Sequence, residues 1–303
     1  MKVIGFDTSN YTTSIAMFDG QDGVNCSRLL PVKPGELGLR QSDAVFSHTK
    51  SLPELSGRLF SDSKGEIAAV GVSTRPRAVE GSYMPCFMVG YSHAKLLSDA
   101  LGVPLFEVSH QQGHVAACLW SAGRLDLMDK PHLAWHLSGG TTELLLVEPE
   151  GKNVKCTKIG GTTDISAGQL IDRTGVMLEL PFPAGRHVDA LSKEAINTDV
   201  FKVKCPGLEF SLSGVQNKVQ QYAEKNSPAE TAAYALRCVC YAVRTATENA
   251  RKQYPGLEVV FSGGVASNSM LRSVMKDAIF SEPVYSTDNA MGVAVLAHRF
   301  LEG

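Results

Sequence analysis

The sequence predicts an α/β protein built from two related lobes, and three observations carry that prediction. An apolar run at residues 3–6 leads through the polar stretch 7–13 into a second apolar run at 15–18. The same starter recurs at 133–137, 138–142 and 144–147, with Thr12-Thr13 falling on Thr141-Thr142 at an offset of 129 residues. After each starter the chain alternates strand-like and helix-like segments, the signature of α/β layers. With 303 residues there is room for two domains of roughly 150 residues each. A first lobe over 1–130 and a second over 131–303 are expected, with the last helix packing back on the first lobe.

Residues 67–72 read as a strand, and 86–101 as a helix stopped by Gly102. Residues 103–108 form the next strand, and Ser109 is placed to cap a helix opening at His110. The stretch 33–64 carries few periodic signals and reads as loops around a short helix. In the second half, 229–253 form a long helix with apolar residues at helical spacing. A strand at 257–261 follows, then the turn Ser262-Gly263-Gly264 and a helix through Met270 and Met275. The end repeats the theme with a strand at 284–285, a turn, and a helix over 288–300 capped by Asp288.

Lys plus Arg total 29 against 31 Asp plus Glu, a net charge of −2. That excludes nucleic-acid binding by overall charge, so a local basic patch or a basic partner subunit would be needed. No run reaches the ~18 apolar residues of a membrane span, and Asp7 breaks the first apolar run. The start reads as neither signal peptide nor anchor, and a cytoplasmic protein without membrane association is expected. The seven cysteines are scattered, and Cys238 and Cys240 are one residue apart, not the two of zinc or redox motifs. Reduced thiols follow.

The sharpest chemical signal is His110-Gln111-Gln112-Gly113-His114. Behind a Ser109 cap, the imidazoles stand at i and i+4 on one helix face, which suits two ligands of one metal ion. Two histidines at a helix start without a metal is the alternative. Gly113 is a poor helix former, and close approach of a neighbour explains it better than stability. Gln111 stands where zinc peptidases carry their glutamate base, so the motif does not supply a peptidase. Asp288 is the carboxylate best placed to complete a metal site, although capping alone would also account for it.

Three small-residue turns follow strands: Asp7-Thr8-Ser9, Ser138-Gly139-Gly140-Thr141-Thr142 and Ser262-Gly263-Gly264. Glycine lets the backbone curl around a ligand, and successive N–H groups with hydroxyls make an anion nest. A helix start after Gly264 would add a favourable field for phosphate. One such turn is ordinary; three, two of them related by the duplication, point to phosphate binding. Asp172 falls in a helix beside Arg173, where an exposed ion pair is the alternative to a ligand role. Pro181-Phe182-Pro183-Ala184-Gly185 reads as a rigid loop able to floor a nucleoside pocket.

Taken in order, these segments resemble the TsaD family of tRNA threonylcarbamoyladenosine synthases, once labelled glycoprotease or peptidase M22. The resemblance runs nearly end to end, adding Gly5-Phe6-Asp7-Thr8-Ser9, Gly168 to Asp172, Glu209-Phe210-Ser211-Leu212-Ser213-Gly214, Gly263 to Asn268 and Thr287-Asp288-Asn289. It implies the duplicated actin/sugar-kinase/Hsp70-like (ASKHA) nucleotide-binding fold. It also implies one divalent metal, Fe or Zn, on His110, His114 and Asp288. Ser138, Gly139 and Gly140, with Gly263 and Gly264, would cradle phosphate, and Asp172, Gly185 and Asn268 would hold ribose and adenine. Asp7, Ser9, Thr141 and Asp189 would complete the nucleotide site. The nucleotide would be threonylcarbamoyl-AMP, or ATP, ADP or AMP, and the reaction transfer of threonylcarbamoyl to N6 of adenosine 37 in tRNA.

The chain departs from the family pattern at defined places. Asp7 to Thr13 lacks the family's acidic pair, Thr141 replaces a histidine, Glu36 to Ser42 replaces a His-x-x-Tyr-Gly-Gly region, and Ala290-Met291-Gly292 follows Thr287-Asp288-Asn289. A divergent, shorter paralogue is expected, one that keeps the metal and nucleotide sites. The expected activity is metal-dependent carbamoyl-type transfer to tRNA aided by partner subunits, in a hetero- or homodimer formed through one ASKHA lobe. The alternative is a nucleotide-binding scaffold without transfer activity, and a metallopeptidase ranks last.

Overall fold

The computed structural model describes residues 1–9, 11–31, 39–62 and 65–302. The chain divides into two compact units. The first comprises Met1–Lys130, Glu148–Cys156 and Asp288–Gly303, and the second Pro131–Val147 and Thr157–Thr287. Residues 148–156 lie with the first unit although they follow the expected boundary at 130/131.

In the first unit β1 (Lys2–Ser9), β2 (Thr12–Phe18) and β3 (Gly23–Leu29) form an antiparallel meander. Helix α1 (Gln41–Asp62) precedes β4 (Ile67–Arg75), which runs parallel to β1. Helix α2 (Phe87–Leu101) leads to β5 (Leu105–Ser109), parallel to β4, and β5 runs directly into α3 (His110–Ser121). The sheet order is β3-β2-β1-β4-β5. The second unit carries β6 (His132–Leu137), most of β7 (Thr142–Glu150) and of β8 (Asn153–Thr162), whose ends within 148–156 belong to the first unit, then α4 (Ala167–Met177), α5 (Gly185–Ser192) and β9 (Glu209–Phe210). It continues with α6 (Ser213–Ala223), α7 (Pro228–Gln253), β10 (Val259–Ser262), α8 (Ser269–Val274) and β11 (Ile279–Phe280), and its sheet order is β11-β10-β6-β7-β8-β9. Helix α9 (Met291–Leu301) belongs to the first unit.

The repeated starters become the antiparallel hairpins β1–β2 and β6–β7. Ser9 pairs with Thr12 in one and Leu137 with Thr142 in the other, so the second loop is two residues longer. β1 is buried along almost its whole length, as expected of a strand covered on both faces. Ile4 and Phe6 pack with Leu52, Leu55 and Leu59 of α1, and α9 approaches Gly5 and Gly71, where a Cβ would meet Ala290 O at 2.6 Å and Val293 O at 2.9 Å. In the second unit Trp135 and Phe261 pack with α7, and the Trp135 indole donates to Thr247 Oγ1 at 2.8 Å.

Several sequence expectations are corrected. The supposed loop region holds a 22-residue helix, α1. Its buried face includes His48 and Ser51 beside Ala44, Leu52, Leu55 and Leu59, and those polar members and Pro53 obscured the helical period. Residues 32–38 and 63–64 lie outside the described residues, as do Asn10 and the Glu36 to Gly38 part of the replaced region. The strand expected at 284–285 is a single 3-10 turn, Pro283–Tyr285, and the edge strand is β11, paired parallel to β10. After Gly264 comes another 3-10 turn, Gly264–Ser267, before Asn268 caps the six-residue α8, so no long helix starts at the Gly263-Gly264 turn. The last helix begins at Met291, and its cap position is Ala290; Asp288 is therefore not a cap. The helix at 110 does open behind Ser109, with a full capping box to Gln112.

Candidate metal centre and nucleotide loops

The parallel strands β1, β4 and β5 end on one edge of their sheet, the usual location of ligand sites in α/β folds. His110 follows β5 without a loop. Ser109 Oγ accepts from Gln112 N at 3.2 Å, and the Gln112 side chain accepts from Ser109 N at 2.9 Å. This reciprocal cap fixes the first turn of α3 and sets the His110 and His114 rings on one face. Asp288 arrives from the segment before α9, whose helix crosses α3 at Gly113 and Gly292. A Cβ on Gly292 would lie 1.8 Å from Gly113 O, so only glycine permits this crossing.

The three side chains converge. His110 Nε2 and His114 Nε2 are 3.0 Å apart, and Asp288 Oδ1 lies 3.2 Å from His114 Nε2 and 3.6 Å from His110 Nε2. Metal–ligand bonds of about 2.0–2.2 Å place neighbouring ligand atoms roughly 3.0–3.5 Å apart, for angles between square and tetrahedral. The observed triangle fits one cation with two imidazoles and a carboxylate, and these three residues form the cluster of metal-ligand geometry among the described residues. Two ring nitrogens at 3.0 Å cannot both direct lone pairs at each other, so a proton or a cation must lie between them. His114 is almost fully buried, while the side chains of His110 and Asp288 keep 17% and 24% exposure, which leaves the centre open on one side.

Asp7, expected in a nucleotide turn, stands elsewhere. Residues 7–9 are the end of β1, paired with β2, not a turn. Asp7 is 1% exposed; its Oδ2 accepts from His110 Nδ1 at 2.8 Å and its Oδ1 from Ser9 N at 3.0 Å. Ser9 is also buried, so neither residue offers an open anion nest. Burial pushes the His110 imidazole down, but the Asp7 charge and the bonds to Asp288 and Asp7 outweigh it and raise it to about 10. Burial likewise raises Asp288, and the two histidines overcome it and hold the carboxyl well below its usual range.

The phosphate candidates lie in the second unit. The turn 138–141 joins β6 to β7: Ser138 N donates to Thr141 O at 2.8 Å, and Thr141 N donates to Ser138 Oγ at 3.1 Å. The start of α4 backs it, with Ser166 Oγ donating to Gly139 O at 2.6 Å. Gly168 comes so close that its Cβ would lie 2.4 Å from Ser138 O. Gly139 and Gly140 face open space, where a Cβ would meet nothing within 4 Å. Gly263, at φ +92°, lies against the end of β6, its Cβ position 2.2 Å from Leu137 O. The Ser138 and Gly263-Gly264 turns are thereby neighbours.

The nucleoside candidates form a connected series in the same unit. Asp172 Oδ1 accepts from Ala184 N at 2.8 Å, which ties the proline loop and Gly185, the first residue of α5, to α4. Burial raises the Asp172 carboxyl. Arg173 instead donates to Gln216 at 2.7 Å. Asp189 Oδ1 accepts from Asn268 Nδ2 at 2.8 Å and from Ser269 N and Oγ. Asn268 Oδ1 caps Leu271 N at 3.0 Å, so both ends of that amide are engaged within the protein. Sequence reasoning missed Asp164, which accepts from Leu212 N at 2.8 Å and from the Ser211 and Ser213 hydroxyls, pinning the Glu209–Gly214 motif. Nothing in its spacing announces this. It also missed His48, buried with Nδ1 2.8 Å from Thr13 Oγ1.

Comparison with known proteins adds the family. A sequence profile described as TsaD, tRNA N6-adenosine threonylcarbamoyltransferase, matches residues 38–295. The chain belongs to the TsaD family. The tRNA N6-adenosine threonylcarbamoyltransferase of Carboxydothermus hydrogenoformans is 35% identical over 253 residues, covering 78% of this chain and 73% of that protein. The Streptococcus suis protein of the same name is 35% identical over 217 residues, covering 68% of this chain and 61% of that protein. Among solved structures, HypF of T. kodakarensis matches this TsaD-family chain with a TM-score of 0.65 at 15% identity, covering all of this chain and 48% of that one. The ROK hexokinase of Thermus thermophilus matches at 0.51 and 15% identity, covering 100% of this chain and 99% of that one. These likenesses show the ASKHA fold of the TsaD-family chain. No helix among its described residues is long and apolar enough to cross a membrane.

Proposed function

We propose that this TsaD-family chain transfers a threonylcarbamoyl group from threonylcarbamoyl-AMP to N6 of adenosine 37 in tRNA, at a divalent-metal centre on His110, His114 and Asp288. The observation that carries the reading is the 3.0–3.6 Å triangle of two imidazole nitrogens and one carboxylate oxygen, open on one side. An iron or zinc ion held there supplies a Lewis acid for the acyl carbonyl. The open N–H face of the Ser138–Gly140 turn, with Gly263 and Gly264, receives the adenylate phosphate. The Asp172-anchored loop at Gly185 floors the nucleoside. In the transfer, the N6 amino group of adenosine attacks the carbamoyl carbon, the bond from that carbon to the phosphate oxygen breaks, AMP leaves as the anion, and the proton lost from N6 passes to water. The net charge of −2 calls for a basic partner subunit to hold tRNA, in a dimer through one lobe and in the cytoplasm.

A nucleotide-binding scaffold is the second reading. It draws on Thr141, which puts no titratable side chain on the Ser138–Thr141 turn, and on Tyr11 and Thr12 in place of an acidic pair. The deciding experiment adds the purified chain to unmodified tRNA, bicarbonate, threonine, ATP and the adenylate-forming enzyme, and then measures threonylcarbamoyladenosine by nucleoside mass spectrometry. Product that requires the chain and disappears in His110→Ala supports transfer. Nucleotide binding without product, with or without partner subunits, supports the scaffold.

A further inference from the structure

We propose, resting on the metal reading above, that Asp7 is the positioning residue of this centre: it fixes the His110 ring so that Nε2 faces the cation and Nδ1 carries the proton. Asp7 is not one of the three converging ligands. Its Oδ2 reaches the opposite nitrogen of the ring, Nδ1, at 2.8 Å, while Nε2 is the atom directed at His114 and Asp288. A carboxylate accepts only, so the imidazole nitrogen facing it must be the donor. That settles which nitrogen is left with a lone pair for the metal.

The carboxylate is itself immobilised. It sits at the end of β1, in the middle of the five-stranded sheet, with Ser14 as its partner in β2. Its second oxygen is held by Ser9 N at 3.0 Å, and the side chain is buried. His110 is thus gripped at its backbone by the Ser109 cap and at its ring by Asp7. A metal-bound histidine whose other nitrogen donates to a carboxylate is a more basic and better-oriented ligand, and loss of that partner costs about 10- to 100-fold in metal affinity.

The test uses the full chain, stripped of metal and titrated with zinc against a chromophoric chelator, in the wild type, Asp7→Asn and Asp7→Ala. Zinc binding is expected to weaken about 10- to 100-fold in Asp7→Ala. Asp7→Asn, which keeps an acceptor toward Nδ1 without the charge, should recover part of the loss. Correlation spectra of the histidine ring nitrogens in zinc-loaded wild type should show His110 bound through Nε2 with a protonated Nδ1, a readout that a purely structural role would not set. Wild type that binds zinc while both variants match it within twofold overturns the role of Asp7. So does ligation through His110 Nδ1 in the wild type, which needs no variant to fold. Wild type that binds neither zinc nor iron overturns the metal reading and this inference with it.

Discussion

Replacing Gly292 with alanine should disable the metal centre from one helical turn away. Helices α3 and α9 cross with Gly292 against the Gly113 carbonyl, and an added Cβ would lie 1.8 Å from Gly113 O and 2.7 Å from Ala117 N. A carbon–oxygen contact needs about 3.3 Å, so the helices must part by about 1.5 Å at the crossing. All the atoms in the way are backbone, so no rotamer relieves them. Asp288 lies four residues before Gly292, and its carboxylate must stay within about 0.2 Å of ligand distance. Overpacking of this kind costs about 1–3 kcal/mol. Passed on to the site, that corresponds to zinc binding weaker by about 5- to 150-fold. Gly113→Ala is the informative partner variant, because its Cβ would meet the Val293 methyl at 3.2 Å and Val293 N at an ordinary 3.8 Å, while alanine gains about 1 kcal/mol of helix propensity. Zinc titration by competition, with circular dichroism to verify folding, separates the two. Gly292→Ala binding within twofold of wild type, or Gly113→Ala the weaker binder, would refute the argument.

Other outcomes follow from the same geometry. Zinc affinity should rise with pH up to about 10, because the charges of Asp7 and Asp288 favour the doubly protonated His110 ring, and its Nε2 proton must leave before the cation enters while Nδ1–H stays on Asp7; an affinity flat from pH 6 to 9 would contradict this. Hydroxyl and amide donors overcome the upward push of burial and hold the Asp164 carboxyl well below its ordinary value of 3.8. A depressed folded-state value contributes stability above pH 3.8 and loses it as pH falls further. Asp164→Ala should therefore lower stability by about 1 kcal/mol at pH 7, with the gap to wild type closing in denaturant melts below pH 3.8. Asp172→Ala should free Ala184 N and loosen the proline loop, weakening AMP binding about tenfold for an unmade charge-assisted bond; equal affinity by calorimetry would remove the loop from the nucleotide site.

What the sequence made legible is what local chemistry determines. Ser109, Gln112 and the i, i+4 histidines specify one helix turn by their own side chains, and the duplicated hairpins repeat a visible pattern. Features decided by distant packing stayed hidden. The period of α1 is masked because the polar residues His48 and Ser51 occupy buried positions, His48 bonding Thr13 of the neighbouring strand β2. Asp7 looked like part of a phosphate turn because Asp-Thr-Ser is turn-like by composition, yet its pairing with β2 keeps it in a strand, and its partner lies 103 residues away. Gly113 does lie where α9 comes close, but the position that requires glycine is Gly292, whose Cβ would strike Gly113 O, in a helix whose start the Asp288 cap signal placed three residues too early.

The position of Asp288 in the chain has a consequence for biogenesis. His114 and Asp288 are separated by 174 residues of chain, so at about 5–20 residues per second the ribosome takes roughly 10–35 seconds to deliver the carboxylate after the imidazole pair. During that interval the nascent first unit displays two histidines and an incompletely covered sheet, with no site that can hold a cation firmly. A cation that uses all three residues would therefore be taken up only after the segment carrying Asp288 has been made and packed beside α3.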